Sequence, residues 1–208
     1  MINHTHKFIF VKLSKSASTT ITKILKQTYT DTIFEKADHH HHILDMISSD
    51  TNSYFKFTTV RNPYDRLVSR YFFARHKAII HKSQFTNLTF KDFVVGGHTT
   101  TPMNTNWVAK TAPHLNTLLD RVGFFDNQIE WMQDSEGEVI IDSVMRVESL
   151  QQDFNVVCDK IGMPRQKLPH RNKTKHKHYT EYYDEETKQI VAEKYAKDIE
   201  MFGYEFGE

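Results

Sequence analysis

The feature that most limits what this chain can become is a run of aromatic and β-branched residues, Phe8-Ile9-Phe10-Val11 with Leu13, that passes at once into the small polar residues Ser14 to Ser18. A short apolar run bounded in this way reads as a strand buried on both faces, as strands of a parallel sheet are. From Thr19 onward, Ile21, Ile24, Leu25 and Thr28 recur at helical spacing. Strand, small-residue loop and helix in that order bring backbone N–H groups and the positive end of a helix to one point, which suits an anion.

A second unit repeats the pattern. Tyr54 to Val60 is strand-like, Arg61-Asn62-Pro63 breaks it, and Leu67, Val68, Tyr71, Phe72, Ala78 and Ile79 mark a helix. Pro63 suits a first helical position, so Arg61 falls at the carboxyl end of a strand. Further on, Val139-Ile140-Ile141 and Val144 to Val147 are short β-branched runs, and Ser149-x-x-Gln152 predicts a capping box whose helix ends at Gly162. A last helix is expected from Asp184, with Val191, Tyr195, Ile199 and Phe202 on one face before Gly203. Between about Ser83 and Gln133 the pattern is irregular, and substrate-facing loops are expected there.

Strands alternating with helices predict an α/β fold, and 208 residues suffice for one domain with a sizeable core, 1–208. The 27 Lys+Arg nearly cancel the 26 Asp+Glu, so the surface as a whole is not a nucleic-acid footprint and any anion site must be local. Cys158 is the one cysteine, which excludes an internal disulfide and a Cys-rich zinc site. No apolar stretch approaches the length needed to span a bilayer or to serve as a signal segment, so a cytoplasmic protein without a membrane partner is expected. Oligomeric state is not legible.

The first loop, Lys15-Ser16-Ala17-Ser18-Thr19-Thr20, joins a mobile cation to hydroxyl donors and close-approaching amides. It lacks the glycines of a nucleoside-triphosphate loop, since the first glycine of the chain is Gly96. On its own the segment is equally a polar turn ending in a Ser/Thr helix cap.

Arg61-Asn62-Pro63-Tyr64-Asp65-Arg66-Leu67-Val68-Ser69-Arg70-Tyr71 gives the loop its partner. Here the chain resembles the sulfotransferases that use 3′-phosphoadenosine 5′-phosphosulfate (PAPS), in particular the carbohydrate branch. Arg146-Val147-Glu148-Ser149-Leu150, Leu168-Pro169-His170-x-Asn172-x-Thr174 and Tyr195-x-x-Asp198-x-x-x-Phe202-Gly203-Tyr204 extend the likeness to the C-terminal end. The resemblance implies a P-loop-like fold, a mostly parallel sheet with helices on both faces. It also implies that Lys15 and the amides of Ser16, Ala17, Ser18, Thr19 and Thr20 grip the 5′-phosphosulfate. Arg61 and Ser69 would hold the 3′-phosphate, and no metal would be required. Where many members of the family carry Pro before the lysine and a Gly pair after it, this chain has Ser14 and Ala17-Ser18. The basic run from His170 to His178 falls where the family covers the nucleotide, so Arg171, Lys173 and Lys175 become candidate phosphate or acidic-substrate contacts.

His39-His40-His41-His42 lies between loop and Arg61 strand, where the resemblance implies a general base. Four consecutive side chains cannot face one point, which argues against a metal site built from this run alone. One imidazole acting on a sugar hydroxyl is the expectation, with His39 and His41 as candidates. The reading is an enzyme moving a sulfuryl group to a carbohydrate acceptor, with no nucleic-acid partner. The rival is a nucleotide-binding or sensing protein of the same fold that has lost transfer.

Overall fold

The structure is a computed structural model that describes residues 1–37, 39–80, 87–98, 126–169 and 176–208. The chain gathers into two compact units, Met1–Arg61 with Gln128–Lys173, and Asn62–Asn127 with Thr174–Glu208.

The first unit holds a five-stranded mixed sheet. Strand β1 is Ile2–Asn3, β2 is Phe8–Val11, β3 is Phe34–Glu35, β4 is Phe55–Val60 and β5 is Ser143–Arg146. Their order across the sheet is β3-β1-β2-β4-β5. The three longest strands, β2, β4 and β5, are mutually parallel, with Phe10 opposite Phe57 and Val60 opposite Arg146. β1 and β3 add an antiparallel edge beyond β2.

Side chains alternate across a strand, and here the alternation serves two buried faces. Phe8, Phe10, Phe57 and Met145 point to one side and form a core with helix α1, Ser18–Thr28, and helix α4, Leu150–Lys160. Ile21, Ile24 and Leu25 come from α1, and Phe154, Val157 and Cys158 from α4. Phe10 and Phe57 stack at 5.1 Å between ring centres. The alternate residues Ile9, Val11, Thr58 and Val60 are fully buried too, so the sheet is covered on both sides. That is why β2 reads as a continuous apolar run. Burial also pushes the Cys158 thiol up to about 11, consistent with a small core residue.

The second unit is helical. Helix α2, Pro63–Ile80, starts on Pro63, with the Asn62 carbonyl accepting from the Arg66 amide at 2.8 Å. Helix α3 is Phe90–His98, α5 is Glu185–Lys194 and α6 is Ala196–Phe202. Tyr64, Leu67, Val68, Tyr71 and Ala74 form the apolar stripe of α2 and pack with Phe90, Phe93, Val94, Val191 and Tyr195. Arg66 and Arg70 of α2 are nevertheless buried. Burial first, then the charge of Arg70, lowers the Arg66 guanidinium to about 9, against the attraction of Asp198.

Three expectations change. Val139-Ile140-Ile141 does not form a strand: Val139 makes an isolated bridge with Gln133. Ser149 is the N-cap of α4, but its hydroxyl donates to Asp153 at 2.7 Å, and the Asp153 carboxylate also takes the Arg146 amide. Asp153 thus displaces Gln152 as the reciprocal partner because it ties the cap to β5 as well. The C-terminal helix starts as expected, on an Asp184 cap closed by Thr187, but breaks at Tyr195 into α5 and α6.

Candidate functional site

The loop between β2 and α1 departs from regular backbone twice. Lys15 has φ 65° and Ala17 φ 62°, both in the left-handed region, while Ser16 between them does not. Alternation of this kind turns successive N–H groups toward one concavity, an anion-binding nest. An L-residue pays about 1–2 kcal/mol to sit there, a cost that glycine avoids. The missing glycines of the sequence are therefore replaced by strain and not by a different loop.

The serines hold this shape. Ser16 Oγ donates to the Leu13 carbonyl at 3.0 Å and lies 2.9 Å from Thr59 Oγ1, and Ser18 Oγ donates to the same carbonyl at 2.7 Å. Both side chains are buried, so the part these residues offer a ligand is the backbone. The N-cap of α1 is Ala17, with no side-chain cap. The Ser/Thr cap that the sequence allowed is absent, and the Ala17 carbonyl accepts from Thr20 and Ile21. By helix geometry the amides of Ser18 and Thr19 precede the first intrahelical acceptor and point out of the helix end.

Arg61 follows the last residue of β4 and meets this loop: its Nη1 donates to the Lys15 carbonyl at 3.4 Å. Gln128 fixes its backbone from both sides, accepting from the Arg61 amide at 3.0 Å and donating to the Arg61 carbonyl at 2.9 Å. Gln128 is fully buried. No spacing in the sequence pointed to it, because a reciprocal amide clamp has no local signature. Ser69 lies on α2 in the second unit and is 4% exposed. Arg171, Lys173 and Lys175 lie outside the described residues.

The four histidines part company. His39 is exposed, with its ring 6.4 Å from that of His41. His41 is held below the ordinary imidazole value, by burial first and then by neighbouring positive charge. His42 stacks on Trp131 at 4.0 Å. His40 turns toward α1: its Nδ1 lies 2.7 Å from the Lys12 carbonyl. A carbonyl can only accept, so Nδ1 carries a proton, and in the neutral form of the ring the acceptor nitrogen is Nε2. His40 lines a cleft of about 330 Å³ with Lys12, Ser18, Thr19, Thr22 and Lys26, all in the first unit. Neither His39 nor His41 lines it. Among the described residues, no three His, Cys, Asp or Glu side chains gather as a metal-ligand set. None of the described helices is long and apolar enough to cross a membrane.

The arrangement can hold an anion on the loop amides beside two cations, Lys15 and Arg61, with an oriented imidazole on the cleft that opens at the same helix end. The model of the Sulfotransferase family matches residues 1–205. Among solved structures, the chain is similar to a sulfotransferase from Alicyclobacillus acidocaldarius, at 12% identity and TM-score 0.44 over 96% of each chain. No match was found among curated proteins.

Proposed function

The chain belongs to the sulfotransferase family, and from that premise we propose that it transfers a sulfuryl group from PAPS to a hydroxyl of a carbohydrate. The observation that carries this reading is the nest formed by Lys15 and Ala17 with Arg61 against it. The phosphosulfate anhydride of the donor needs several N–H groups and fixed cations at one place, and this loop offers them.

In the proposed reaction, His40 Nε2 takes the proton of the acceptor hydroxyl as the acceptor oxygen bonds to sulfur. The bond from sulfur to the 5′-phosphate oxygen breaks, and 3′-phosphoadenosine 5′-phosphate leaves. Lys15 and the amides of Ser18 and Thr19 stabilise the charge that builds on the sulfonate and the leaving oxygen. Arg61 anchors the 3′-phosphate. His40 replaces His39 and His41 as the proposed base because its ring is oriented by the Lys12 carbonyl and lines the cleft.

A radiolabelled-sulfonate transfer assay with PAPS and a panel of oligosaccharides tests the proposal. Label in a saccharide product is expected. Tight binding of the desulfated nucleotide with no transfer to any member would favour the sensing protein instead.

A further inference from the structure

Alternate residues of an extended segment share a side, and the histidine run follows that rule. His42 is extended, with φ −63° and ψ 154°. The rings of His39 and His41 lie 6.4 Å apart, whereas those of His40 and His42 both meet Trp131. The indole lies nearly parallel to His42, at 4.0 Å and 20° between planes, and nearly perpendicular to His40, at 6.4 Å and 87°. Trp131 is 4% exposed, so this side of the run rests on a buried side chain.

Trp131 is itself held. It ends a single 3-10 turn, Ile129–Trp131, and its amide donates to the Gln128 carbonyl at 3.2 Å. Met132 then donates to the Ile129 carbonyl at 2.9 Å and accepts from the Ile140 amide at 3.0 Å. His42 Nδ1 lies 3.3 Å from the Glu130 carbonyl, so this histidine meets the turn by its edge as well as by its face. Side chains three residues apart eclipse in a 3-10 turn, which puts Gln128 and Trp131 on one face. Gln128 clamps the backbone of Arg61, and Trp131 meets His40. One turn thus supports both the candidate anchor and the candidate base.

The Lys12 carbonyl holds His40 at one atom, Nδ1, and a ring held at one atom can still swing. A second contact, from the indole, fixes its plane. The consequence for rate is large, because displacing a reacting group by about 1 Å can cost about a hundredfold. We propose that Trp131 is a positioning residue for the transfer reaction: its indole, backed by His42, sets the plane of the His40 ring and so the direction of Nε2. This rests on the reading of His40 as the base and adds the residues that aim it.

Long-range proton–nitrogen NMR of the histidine rings reads the tautomer of His40 without turnover. It is recorded on wild type, Trp131→Phe, Trp131→Leu and His42→Ala. Leucine keeps apolar volume and removes the ring, and phenylalanine keeps a ring. His42 is only half-buried, so removing it leaves the core intact. In wild type and Trp131→Phe, His40 should carry its proton on Nδ1. In Trp131→Leu and His42→Ala it should become a mixture of tautomers. Trp131→Leu should lower kcat about ten- to a hundredfold, and Trp131→Phe should restore it to within a few-fold. Affinity for 3′-phosphoadenosine 5′-phosphate should stay within about twofold throughout. On a His40→Ala background, Trp131→Leu should cost nothing further. A loss that adds in full to that of His40→Ala, or a weakened nucleotide with kcat kept, would overturn the inference. Transfer by wild type with a His40 signal unmoved in Trp131→Leu refutes the role of Trp131 alone. A signal that moves, in a protein that sulfates no acceptor, refutes sulfotransfer and leaves Trp131 as the residue that orients His40.

Discussion

The Nδ1 atom of His40 lies 2.7 Å from the carbonyl oxygen of Lys12, the residue that follows strand β2. That contact selects the tautomer whose Nε2 accepts a proton and ties the ring to the sheet that positions the anion loop. His40→Ala should therefore lower kcat by about 10²- to 10⁴-fold with little change in nucleotide affinity. His39→Ala and His41→Ala should leave kcat within a few-fold of wild type. Because the base must be neutral, activity should decline toward acid pH. Steady-state kinetics on the three variants checks this, and a loss confined to His39→Ala or His41→Ala would move the base.

The left-handed backbone at Ala17 gives a second test. Glycine relieves the strain there but gains freedom in the unfolded chain, so the two effects partly cancel. Ala17→Gly should raise stability by about 0.5–1 kcal/mol. Ala17→Val, β-branched at a positive φ, should destabilise by more than that. Urea denaturation midpoints decide it, and a glycine variant less stable than wild type would contradict the loop geometry.

The framework of the first unit was legible because β2 shows a continuous apolar run and β4 an aromatic and β-branched one, and in the second unit Pro63, Asp184 and Gly203 mark helix ends chemically. β1 and β3, two residues each, are too short to carry a pattern. The positive φ at Lys15 and Ala17 left no trace, since neither residue prefers that region. Proximity of His40 to Lys12 depends on how a loop returns to the sheet, which adjacent histidines in a sequence do not encode. The likeness to a known family supplied Arg61 as a candidate site residue, whereas its Gln128 clamp follows only from the packing.

The second unit should respond to alkaline pH. Burial raises Tyr64, Tyr71, Tyr183 and Tyr195 above the ordinary 10.0 of tyrosine. The unfolded chain then releases phenolic protons that the fold still holds, so their contribution is complete below pH 10 and is lost as pH rises through the raised values. Arg66 acts in the opposite sense. It sits at about 9 in the fold, well below its ordinary value, so the fold sheds that proton first and gains stability above pH 9. Burial lowers Arg70 in the same sense as Arg66, so two arginines oppose the four phenols, whose own contribution falls above about pH 10. Tyr183→Phe should shallow that fall, as measured by urea midpoints across the range, and an unchanged slope would contradict it.

The central claim, that Lys15, Arg61 and the loop amides grip a nucleotide phosphorylated at both ends, is tested most directly by calorimetric titration of wild type and Arg61→Ala with 3′-phosphoadenosine 5′-phosphate and with AMP. Wild type should bind the bisphosphate far more tightly than AMP, and a hundredfold excess over its Kd should stabilise the fold by about 2.7 kcal/mol. Arg61→Ala should erase most of the difference between the two nucleotides. Equal affinity of wild type for both would contradict the assignment.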